Sequence, residues 1–507
     1  MILRNSLLLA LTAWILLKAQ SPTFDVMAYG AKGDGQTLDT AAIQRTVDVA
    51  HAAGGGVVSF PTGNFLSGTI ELKSHVTLRL SPGATLWGSQ KMEDYARPHL
   101  IYARGAENIA IDGGGTINGN GDAFWDADFK PRGKRPSPAI ELVESEDIRI
   151  ENIRIRNTAG WGIHPLVCDR VLIRGISIIN DYRGPNTDGI DPDSTRNLII
   201  SDSYIETGDD AIVLKTTGRL GRPAPPCENI TVTNCVLMSD DAALKLGTES
   251  HGDFRHIRVS NSVIRKSGAG VAIYGKDGGT FEDVSFSGLA IETSALEKRR
   301  SRTYPIYIDL DRRSEDSRQS QIRDITFSDI TIRTKGRVLV TGMPAQPLEN
   351  LTFRNISVRM TGFESLEGAS QPRGSSSARR VAQRINHGPT PAALVVANAK
   401  GVRLDGYRVH WDTRGDAPER HALYFSGVQH LMISGFQGRP AAGNGKLAAI
   451  GLHETGDVFI TGSRPGEETG VFVSGSGVAP AGITLSGNDL RHAGKKMAEG
   501  AVYIPRP

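Results

Sequence analysis

The segment that decides the fold of this 507-residue chain is Asn229-Ile230-Thr231-Val232-Thr233-Asn234, which recurs 27 residues later as His256-Ile257-Arg258-Val259-Ser260-Asn261. Each copy begins with a polar residue, alternates apolar and polar positions, and ends at Asn. Alternation with a period of two is typical of a β-strand that buries one face. Asn, Asp and Gly are favoured where a chain must turn. The pattern therefore predicts a strand followed at once by a turn.

The same pattern occurs along most of the chain, at spacings of 23 to 51 residues and without a helical pattern between copies. A repeat of this kind predicts one strand-turn-strand coil per copy, and the longer spacings indicate loop insertions. A single coil cannot bury its apolar face, so we expect an all-β solenoid of stacked parallel coils around a Val/Ile/Leu/Phe ladder. The copies begin at Asn108, Asp147, Arg170, Asn197, Asn229, His256, Asp283, Asp324, Asn350, Gly401 and His430.

Two segments depart from the repeat. Near the start, Ile43, Val47 and Ala50 share one face of a predicted helix that Asp39 or Thr40 can cap and that ends before Gly54. We expect this helix to cover the open end of the first coil, because solenoids need a terminal cap. Residues 364–390 lose the strand pattern and are rich in Gly, Ser and Pro, which predicts a loop insertion. The strand pattern resumes afterwards, so residues 21–507 are expected to form one β-helix domain.

The composition excludes several classes of protein. Hydrophobic residues make up 39% of the chain, which is too many for a disordered protein, and the 58 glycines show no triplet period. The 58 basic and 55 acidic residues nearly balance, so no nucleic-acid partner is expected. The three cysteines, Cys168, Cys227 and Cys235, have neither disulfide parity nor zinc-site spacing, and we expect them to be small buried residues.

The N-terminus resembles a secretory signal. Arg4 precedes an apolar run from residue 6 to 17, which is too short to span a bilayer but suits the apolar region of a signal peptide. We assign residues 1–20 to this signal, with cleavage expected after Ala19; an uncleaved interfacial anchor is the alternative. The mature chain is then expected to be secreted or periplasmic, free of the membrane, and a monomer.

Three acidic residues are spaced to meet on one side of the solenoid. Asp188 precedes Asp209 and Asp210 by 21 and 22 residues, about the length of one coil. Residues one coil apart lie over each other at the strand spacing of about 4.8 Å. Three carboxylates so close would repel one another and raise at least one pKa toward the range of a general acid. The alternative is that these residues are ordinary turn corners, where Asp and Gly are common.

A family resemblance favours the interpretation that the three aspartates are catalytic. The motifs that carry it are Asn186-Thr187-Asp188-Gly189-Ile190-Asp191-Pro192-Asp193-Ser194, Gly208-Asp209-Asp210-Ala211, Tyr29 to Gly35, Phe60-Pro61, Gly83 to Leu86, Gly115 to Gly119 and Trp161-Gly162-Ile163-His164-Pro165. They resemble the signature of the polygalacturonase family of glycoside hydrolases, family 28, within the wider group of pectin-active β-helix proteins, and the likeness covers roughly residues 24–360. The resemblance implies a right-handed parallel β-helix and inverting hydrolysis of pectic or related plant polysaccharides without a metal or other cofactor.

The resemblance also implies roles for these residues. Asp209 would be the general acid that protonates the glycosidic oxygen, while Asp188 and Asp210 would activate the attacking water. Asn186 would position the substrate or a catalytic carboxylate. His164 is a candidate for contact with sugar hydroxyls, and Lys215 is a candidate for substrate contact or for a structural ion pair.

Two motifs of the family are absent from this chain. Ala242 stands at the place of the family's Gly-His-Gly histidine, and Ala272-Ile273-Tyr274 stands where the family carries Arg-Ile-Lys. Loss of these cations should weaken the binding of a uronate carboxylate, which predicts a neutral or branched sugar at the cleavage site. Lys245, His251 and Lys276 are the candidates to replace them, and the alternative is that they are solvated turn residues.

Aromatic residues provide the remaining candidates for substrate binding. Tyr274, Trp161 and Trp125 could each present a ring to a sugar, or could belong to the core or the groove wall. Three other functions stay open. A polysaccharide lyase would need Ca²⁺ and a strong base, a non-catalytic glycan-binding solenoid would release no reducing ends, and a uronate epimerase would change stereochemistry without cutting.

Overall fold

The computed structural model describes residues 21–294, 303–367, 369, 385–412, 417–443, 445–478, 482–500 and 502–504. The expected signal peptide and most of the expected insertion lie outside these residues. Within them the chain forms a right-handed parallel β-helix, as predicted, whose coils each contribute strands to three parallel columns. No helix among the described residues is long and apolar enough to cross a membrane.

The first column runs the length of the molecule, and all its strands pair in parallel. It contains Thr23–Asp25, Gly56–Phe60, Val76–Leu80, Glu107–Asp112, Glu146–Glu151, Asp169–Arg174, Arg196–Ser201, Cys227–Thr233, Phe254–Ser260, Thr280–Ser287, Gln321–Thr334, Leu348–Met360, Ala392–Asp405, His421–Ser434, Gly456–Thr461 and Ile483–Ser486.

The second column follows the first after a short turn in each coil, and the long strands Gln321–Thr334 and Leu348–Met360 continue into it. Its other strands are Asp34–Leu38, Gly63–Ser67, Ala84–Gly88, Thr116–Asn118, Arg154–Arg156, Ser177–Ile179, Tyr204–Thr207, Val236–Ser239, Val263–Ser267, Ala290–Thr293, Arg408–Trp411, Gln437–Gly438 and Arg464–Pro465.

The third column completes each coil, and the strands Ala392–Asp405 and His421–Ser434 link it to the first column. Residues 190–193 join it through single parallel bridges. Its other strands are Ile70–Glu71, Ile101–Arg104, Ile140–Val143, Ile163–Leu166, Ile212–Thr216, Ala242–Ser250, Ala269–Gly275, Tyr304–Leu310, Val338–Thr341, Ile450–His453, Thr469–Ser476 and Ala493–Glu499.

The polar residue that begins each repeat has a conformational reason. All eleven residues that mark the repeats have a positive φ, for example 57° at Asn229 and 55° at His256. Asn, Asp and Gly adopt this left-handed region most readily, which explains why they dominate these positions. Their side chains also bond from coil to coil, since Asn229 Nδ2 donates to Asn197 Oδ1 at 3.1 Å. The turns are therefore fixed both by backbone conformation and by a polar ladder.

The inward positions form one continuous apolar core. Phe286, Phe327 and Phe353 stack with ring centroids 5.1 and 5.2 Å apart, one ring per coil. The helix Thr40–Ala52 buries Ile43, Val47 and Ala50 at the N-terminal end, as predicted. The three cysteines are buried and free, as expected. Short 3₁₀ helices occupy Val26–Tyr29, Met92–Asp94 and Gly121–Phe124.

Two details differ from or limit the predictions. Asp39 precedes the helix but makes no side-chain cap hydrogen bond, because its carboxylate instead accepts the backbone N–H groups of Lys32 and Gly33. In the expected insertion, the described residues 364–367, 369 and 385–390 contain no helix or strand. The remainder of that segment lies outside the described residues.

Candidate active site

The candidate site lies at the turn between the second and third columns, in two successive coils. Asp188 and Asp210 each stand two positions before an isoleucine of the third column, and those isoleucines, Ile190 and Ile212, pair directly. The ladder extends into the turn, where Gly189 N donates to the carbonyl oxygen of Asp210 at 2.9 Å. The structure therefore stacks Asp188 over Asp210, as the spacing predicts.

Glycine is required where these turns approach each other. A Cβ atom on Gly189 would lie 2.4 Å from the carbonyl oxygen of Ala211, and one on Gly208 would lie 2.5 Å from that of Asp181. Backbone atoms cannot yield to such contacts. Glycine next to each aspartate thus permits the close stacking that brings the carboxylates together.

The three carboxylates converge. Asp188, Asp209 and Asp210 each offer an oxygen within 4.8 Å of the other two. Asp188 and Asp210 are 2% and 1% exposed, whereas Asp209 is half-buried. Asn186 is exposed beside them, and its Nδ2 donates to Asp209 Oδ2 at 3.5 Å. Asp209 is therefore the member of the cluster that a substrate can reach first.

Two buried lysines lie within this cluster. Lys245 Nζ is 2.6 Å from Asp210 Oδ2. Lys215 Nζ lies 3.9 Å from Asp188 Oδ2, 3.5 Å from Asp191 Oδ1 and 3.7 Å from Glu249 Oε2. Lys215 also approaches the ring of Trp161, with Nζ 4.3 Å from the centroid. Both candidate lysines thus contact acidic groups of the site, and Lys215 forms ion pairs as the structural alternative predicted.

Burial and mutual repulsion raise the pKa values of these carboxyls. Burial, reinforced by the charges of Asp191 and Asp209, raises the pKa of Asp188 well above its usual range. Burial raises the pKa of Asp210 to about 7, even though Lys245 opposes the shift. Burial likewise raises the pKa of Asp191 to about 6 against the attraction of Lys215. The cluster is therefore suited to hold a proton near neutral pH.

Asp188 and Asp210 each have one carboxylate oxygen without a hydrogen-bond partner among the described residues. Both atoms, Asp188 Oδ1 and Asp210 Oδ1, are buried. Buried polar atoms in proteins are nearly always hydrogen-bonded, so unpaired ones indicate a place for a proton, a water molecule or a substrate hydroxyl. These two oxygens belong to the residues to which the resemblance assigns activation of water.

His164 lies beneath the surface of the site. Its side chain is fully buried, with Nδ1 2.6 Å from Glu141 Oε2 and Nε2 3.4 Å from Asp193 Oδ2. Burial lowers its pKa, but the hydrogen bonds to Asp193 and Glu141 outweigh burial and raise the pKa to about 9. Its ring meets the edge of Trp161 at 5.1 Å. His164 has no exposed surface for direct sugar contact, and its contacts are with Glu141, Asp193 and Trp161.

Tyr274 and Lys276 are also buried. Tyr274 is 1% exposed and packs against Tyr307 with ring centroids 5.2 Å apart, so it presents no open face to a sugar. Lys276 Nζ is 2.5 Å from Asp309 Oδ2, and both side chains are buried. Of the two lysines expected to replace the missing cations, the structure brings Lys245 into the carboxylate cluster and ties Lys276 to Asp309.

Of the remaining aromatic candidates, Trp161 is half-buried, and Arg219 approaches its ring at 4.5 Å. Trp125 is 4% exposed and donates through Nε1 to the carbonyl oxygen of Ala159 at 3.0 Å. Trp161 therefore keeps part of its surface exposed, whereas Trp125 belongs to the apolar core.

Sequence reasoning missed two charged residues of the site. Asp191 lies beside His164 in the same outward row. The alternation of Asp191 and Asp193, one coil before Lys215, is the sequence pattern that could have indicated it. Arg135 comes from the long loop between Asn118 and Ile140, and its Nη1 donates to the carbonyl oxygen of Pro185 at 2.7 Å. Its Nη2 donates to Asn186 Oδ1 at 3.4 Å. Arg135 is 51 residues from Asn186 in sequence, so no local pattern indicates it.

The donor set argues against a cation site. Three carboxylate oxygens within 4.8 Å of one another could in principle ligate a metal ion. Lys245, however, places its ammonium 2.6 Å from Asp210, and Lys215 lies beside Asp188. A bound Ca²⁺ would meet two positive charges beside the same carboxylates.

Comparison with known proteins places this site in a family. The model of the glycosyl hydrolases family 28 matches residues 55–376, more than half of the chain. A probable polygalacturonase of Vitis vinifera is 28% identical over 387 residues, covering 70% of this chain and 78% of that protein. The endo-polygalacturonase of Pectobacterium carotovorum is 26% identical, covering 64% and 85%.

A solved structure shares the fold. The family 28 exopolygalacturonase of Yersinia enterocolitica superposes with a TM-score of 0.61 at 21% identity, covering 81% of this chain and 78% of that one. The fold, the family match and the carboxylate cluster agree, and the chain belongs to glycosyl hydrolase family 28.

Proposed function

We propose that this glycoside hydrolase cleaves a galacturonan by single displacement, with Asp209 as the general acid and Asp188 and Asp210 as the groups that activate water. The observation that carries the proposal is the cluster of three carboxylates within 4.8 Å, of which only Asp209 is appreciably exposed. The relatives of this chain are polygalacturonases by name, which supports the substrate class.

The division of roles follows from exposure and charge. Asp209 can reach the glycosidic oxygen and donate its proton as the bond between that oxygen and the anomeric carbon breaks. Water then adds its oxygen to the anomeric carbon and passes a proton to Asp188 or Asp210, whose free oxygens are available. Lys245 favours the charged form of Asp210, which a base requires.

Distance and charge give opposing indications about stereochemistry. Oxygens within 4.8 Å are closer than the carboxyl separation of about 6.5–9.5 Å in typical inverting enzymes and nearer to the 5–5.5 Å of retaining ones. A retaining enzyme, however, needs one carboxylate that can reach the anomeric carbon, whereas Asp188 and Asp210 are 2% and 1% exposed. We favour inversion, and proton NMR of the first-formed anomer tests it: release of the anomer that matches the linkage would contradict single displacement.

Arginines support a uronate substrate despite the missing family motifs. Arg135 and Arg219 lie beside the site, and neither has an acidic partner within 4.0 Å among the described residues. The lysines of the site are already paired with acids, so these guanidinium groups are the cations available to a sugar carboxylate. A neutral or branched sugar is the second candidate, because Ala242 and Ala272 stand where the family carries cations.

The experiment compares reducing ends released from polygalacturonate and from rhamnogalacturonan fragments by the wild type and by Arg135→Ala. We expect cleavage of polygalacturonate, with a KM that rises on the order of tenfold in the variant, as loss of one charged hydrogen bond implies. Preference for neutral or branched fragments, with no effect of Arg135→Ala, would favour the second candidate. An unsaturated product that absorbs light would indicate a lyase instead.

We also propose that the protein is exported and acts as a monomer. The apolar run after Arg4 supports export. The N-terminal residue of the protein recovered from outside the cytoplasm tests this proposal, since cleavage after Ala19 would leave Gln20 first. Recovery only from the cytoplasm, with residue 1 intact, would contradict it.

A further inference from the structure

A second groove lies on the outer face of the second column, near the N-terminal end of the solenoid. It encloses about 660 Å³. Leu38, Leu66 and Trp87 are lateral neighbours on three successive strands and form an apolar stripe along its floor. Leu38 is 44% exposed, although an apolar side chain at a β-helix surface gains nothing from contact with water. We call this surface the Trp87 groove.

The ring of Trp87 is held in a fixed orientation. Its indole Nε1 donates to Asn64 Oδ1 on the adjacent strand at 3.1 Å. The indole is half-buried, so one part rests on the solenoid and the remainder lines the groove. A ring that is already fixed loses little conformational freedom when a flat apolar surface stacks on it.

Amide side chains surround the apolar stripe. Gln36, Asn64, Gln90 and Asn120 line the groove, and each amide offers both donors and acceptors. Asn120 is anchored, since its Nδ2 donates to the carbonyl oxygen of Gly88 at 2.7 Å, which leaves its Oδ1 as an acceptor. An aromatic surface bordered by amides matches a sugar ring, which has C–H faces and a rim of hydroxyl groups.

The charges of the groove distinguish it from the candidate active site. Its lining contains one cation, Lys91, and one anion, Asp94, so the net charge of these residues is zero. The candidate active site instead has Arg135 and Arg219, which have no acidic partner within 4.0 Å in the part of the chain that the structure describes. A run of uronates would bring one negative charge per sugar and would find no surplus cation in the groove. The groove therefore suits neutral sugars.

The groove and the candidate active site lie along one edge of the solenoid. Lateral neighbours lead from Trp87 through Asn118, Arg156 and Ile179 to Glu206, which is three residues before Asp209. Four strand spacings of about 4.8 Å separate the two sites by roughly 19 Å along the axis. The loop that begins after Asn118 supplies Asn120 to the groove and Arg135 to the active site. One polysaccharide chain of several sugars can reach both.

We propose that the Trp87 groove is a second glycan-binding site, which holds a neutral stretch of the polysaccharide while the carboxylate cluster acts on another part. The ligand class rests on the proposed function, because a polysaccharide hydrolase meets such chains. The groove would retain the enzyme on branched regions and raise its effective concentration at the bonds it cuts.

The test is affinity electrophoresis in gels that contain linear galactan, arabinan or polygalacturonate. It uses Asp209→Asn as the background so that hydrolysis does not erode the gel. We expect retardation by a neutral glycan, weakened about tenfold by Trp87→Ala, which corresponds to one aromatic stacking contact. Phe459→Ala is the control, because Phe459 is 37% exposed on the first column far from the groove. The retardation of the Phe459→Ala control should match that of the Asp209→Asn protein.

A second variant covers the case in which Trp87→Ala fails to fold. Leu38→Glu adds a charge at an exposed position and should weaken retardation by a similar factor. Equal retardation of the groove variants and the control would overturn the proposal, as would retardation by polygalacturonate alone. Because the gel measures binding only, a functional groove would still be seen if the wild type hydrolysed no substrate.

Discussion

In the outward row of the third column that contains Asp188 and Asp210, these two coils carry charged residues and the coils that follow carry apolar ones, although Lys245 reaches Asp210 from the first of the following coils. In register, the row of these two aspartates continues as Ala242, Ala269 and Tyr304. Both regions pair in parallel, through single bridges at residues 190–193 and through longer ladders at Ala242 and Ala269. The outward side chains change, and with them the surface changes from a carboxylate cluster to a packed aromatic one.

The two regions also differ in how completely their buried charged groups are paired. The charged region balances buried carboxylates against Lys215 and Lys245, yet Asp188 Oδ1 and Asp210 Oδ1 have no hydrogen-bond partner within the described part of the chain. The apolar region holds Lys276 against Asp309. A buried charge costs several kcal/mol unless it is paired, so incomplete pairing in one region is evidence of function rather than of packing.

The largest expected effect comes from removing the acid. Asp209→Asn keeps the shape of the side chain but has no transferable proton, and we expect hydrolysis to fall on the order of 10²-fold or more while binding persists. Initial rates of reducing-end release give the measurement. Asp324→Asn, at an exposed turn of the first column, is the matched control. Near-wild-type turnover of Asp209→Asn would place the active site elsewhere.

The two buried lysines allow a direct test of the comparison. Lys245 lowers the pKa of Asp210, so Lys245→Met should raise that pKa further above about 7. A rise of one unit from about 7 leaves about fivefold less of the charged base at pH 7. We expect the acid limb of the kcat/KM profile to move to higher pH, with a corresponding loss of activity at pH 7.

Lys276→Met is the control for that experiment. It breaks the ion pair with Asp309, and the loss of one partner from a buried pair typically costs about 3–5 kcal/mol of unfolding free energy. We expect lower stability in denaturant with the acid limb unchanged. A shift of the limb in both variants would show that the two regions are not separate.

The pH dependence of the unfolding free energy should show how much stability is lost when the buried carboxyl of Asp191 ionises. Its folded pKa of about 6 lies above the ordinary 3.8, so its favourable contribution is complete below pH 3.8 and is lost as pH rises through 6. Two pKa units correspond to about 3 kcal/mol. Between pH 4 and 7 the wild type should therefore lose about that amount of unfolding free energy, and Asp191→Asn, which cannot ionise at this position, should not. Urea titrations at both pH values measure it, and parallel pH profiles would refute it.

The smallest expected effect is that of chelation. The carboxylates and lysines supply the acid and base without a metal, so excess chelator should leave the rate of hydrolysis unchanged. Activity with chelator, with and without added Ca²⁺, gives the comparison. Strong inhibition that Ca²⁺ restores would support a lyase mechanism.

The sequence alone determined the solenoid, because its signals are local. Alternation within six residues sets which side chains point inward, and a residue at positive φ begins each repeat. It also determined that Asp188, Asp209 and Asp210 meet, because their spacing equals one coil and stacking converts that spacing into contact.

Tertiary structure decided which other residues join them. Lys245 and Lys276 were equal candidates by sequence, yet the register points Lys245 at Asp210, while Lys276 follows the end of its strand and meets Asp309. Alternation likewise predicts that His164 and Tyr274 face outward, but neighbouring coils cover both. Arg135 reaches the site through a loop whose path no periodic signal encodes. Local pattern fixes the coil, whereas the partners of each charge depend on contacts between segments far apart in the chain.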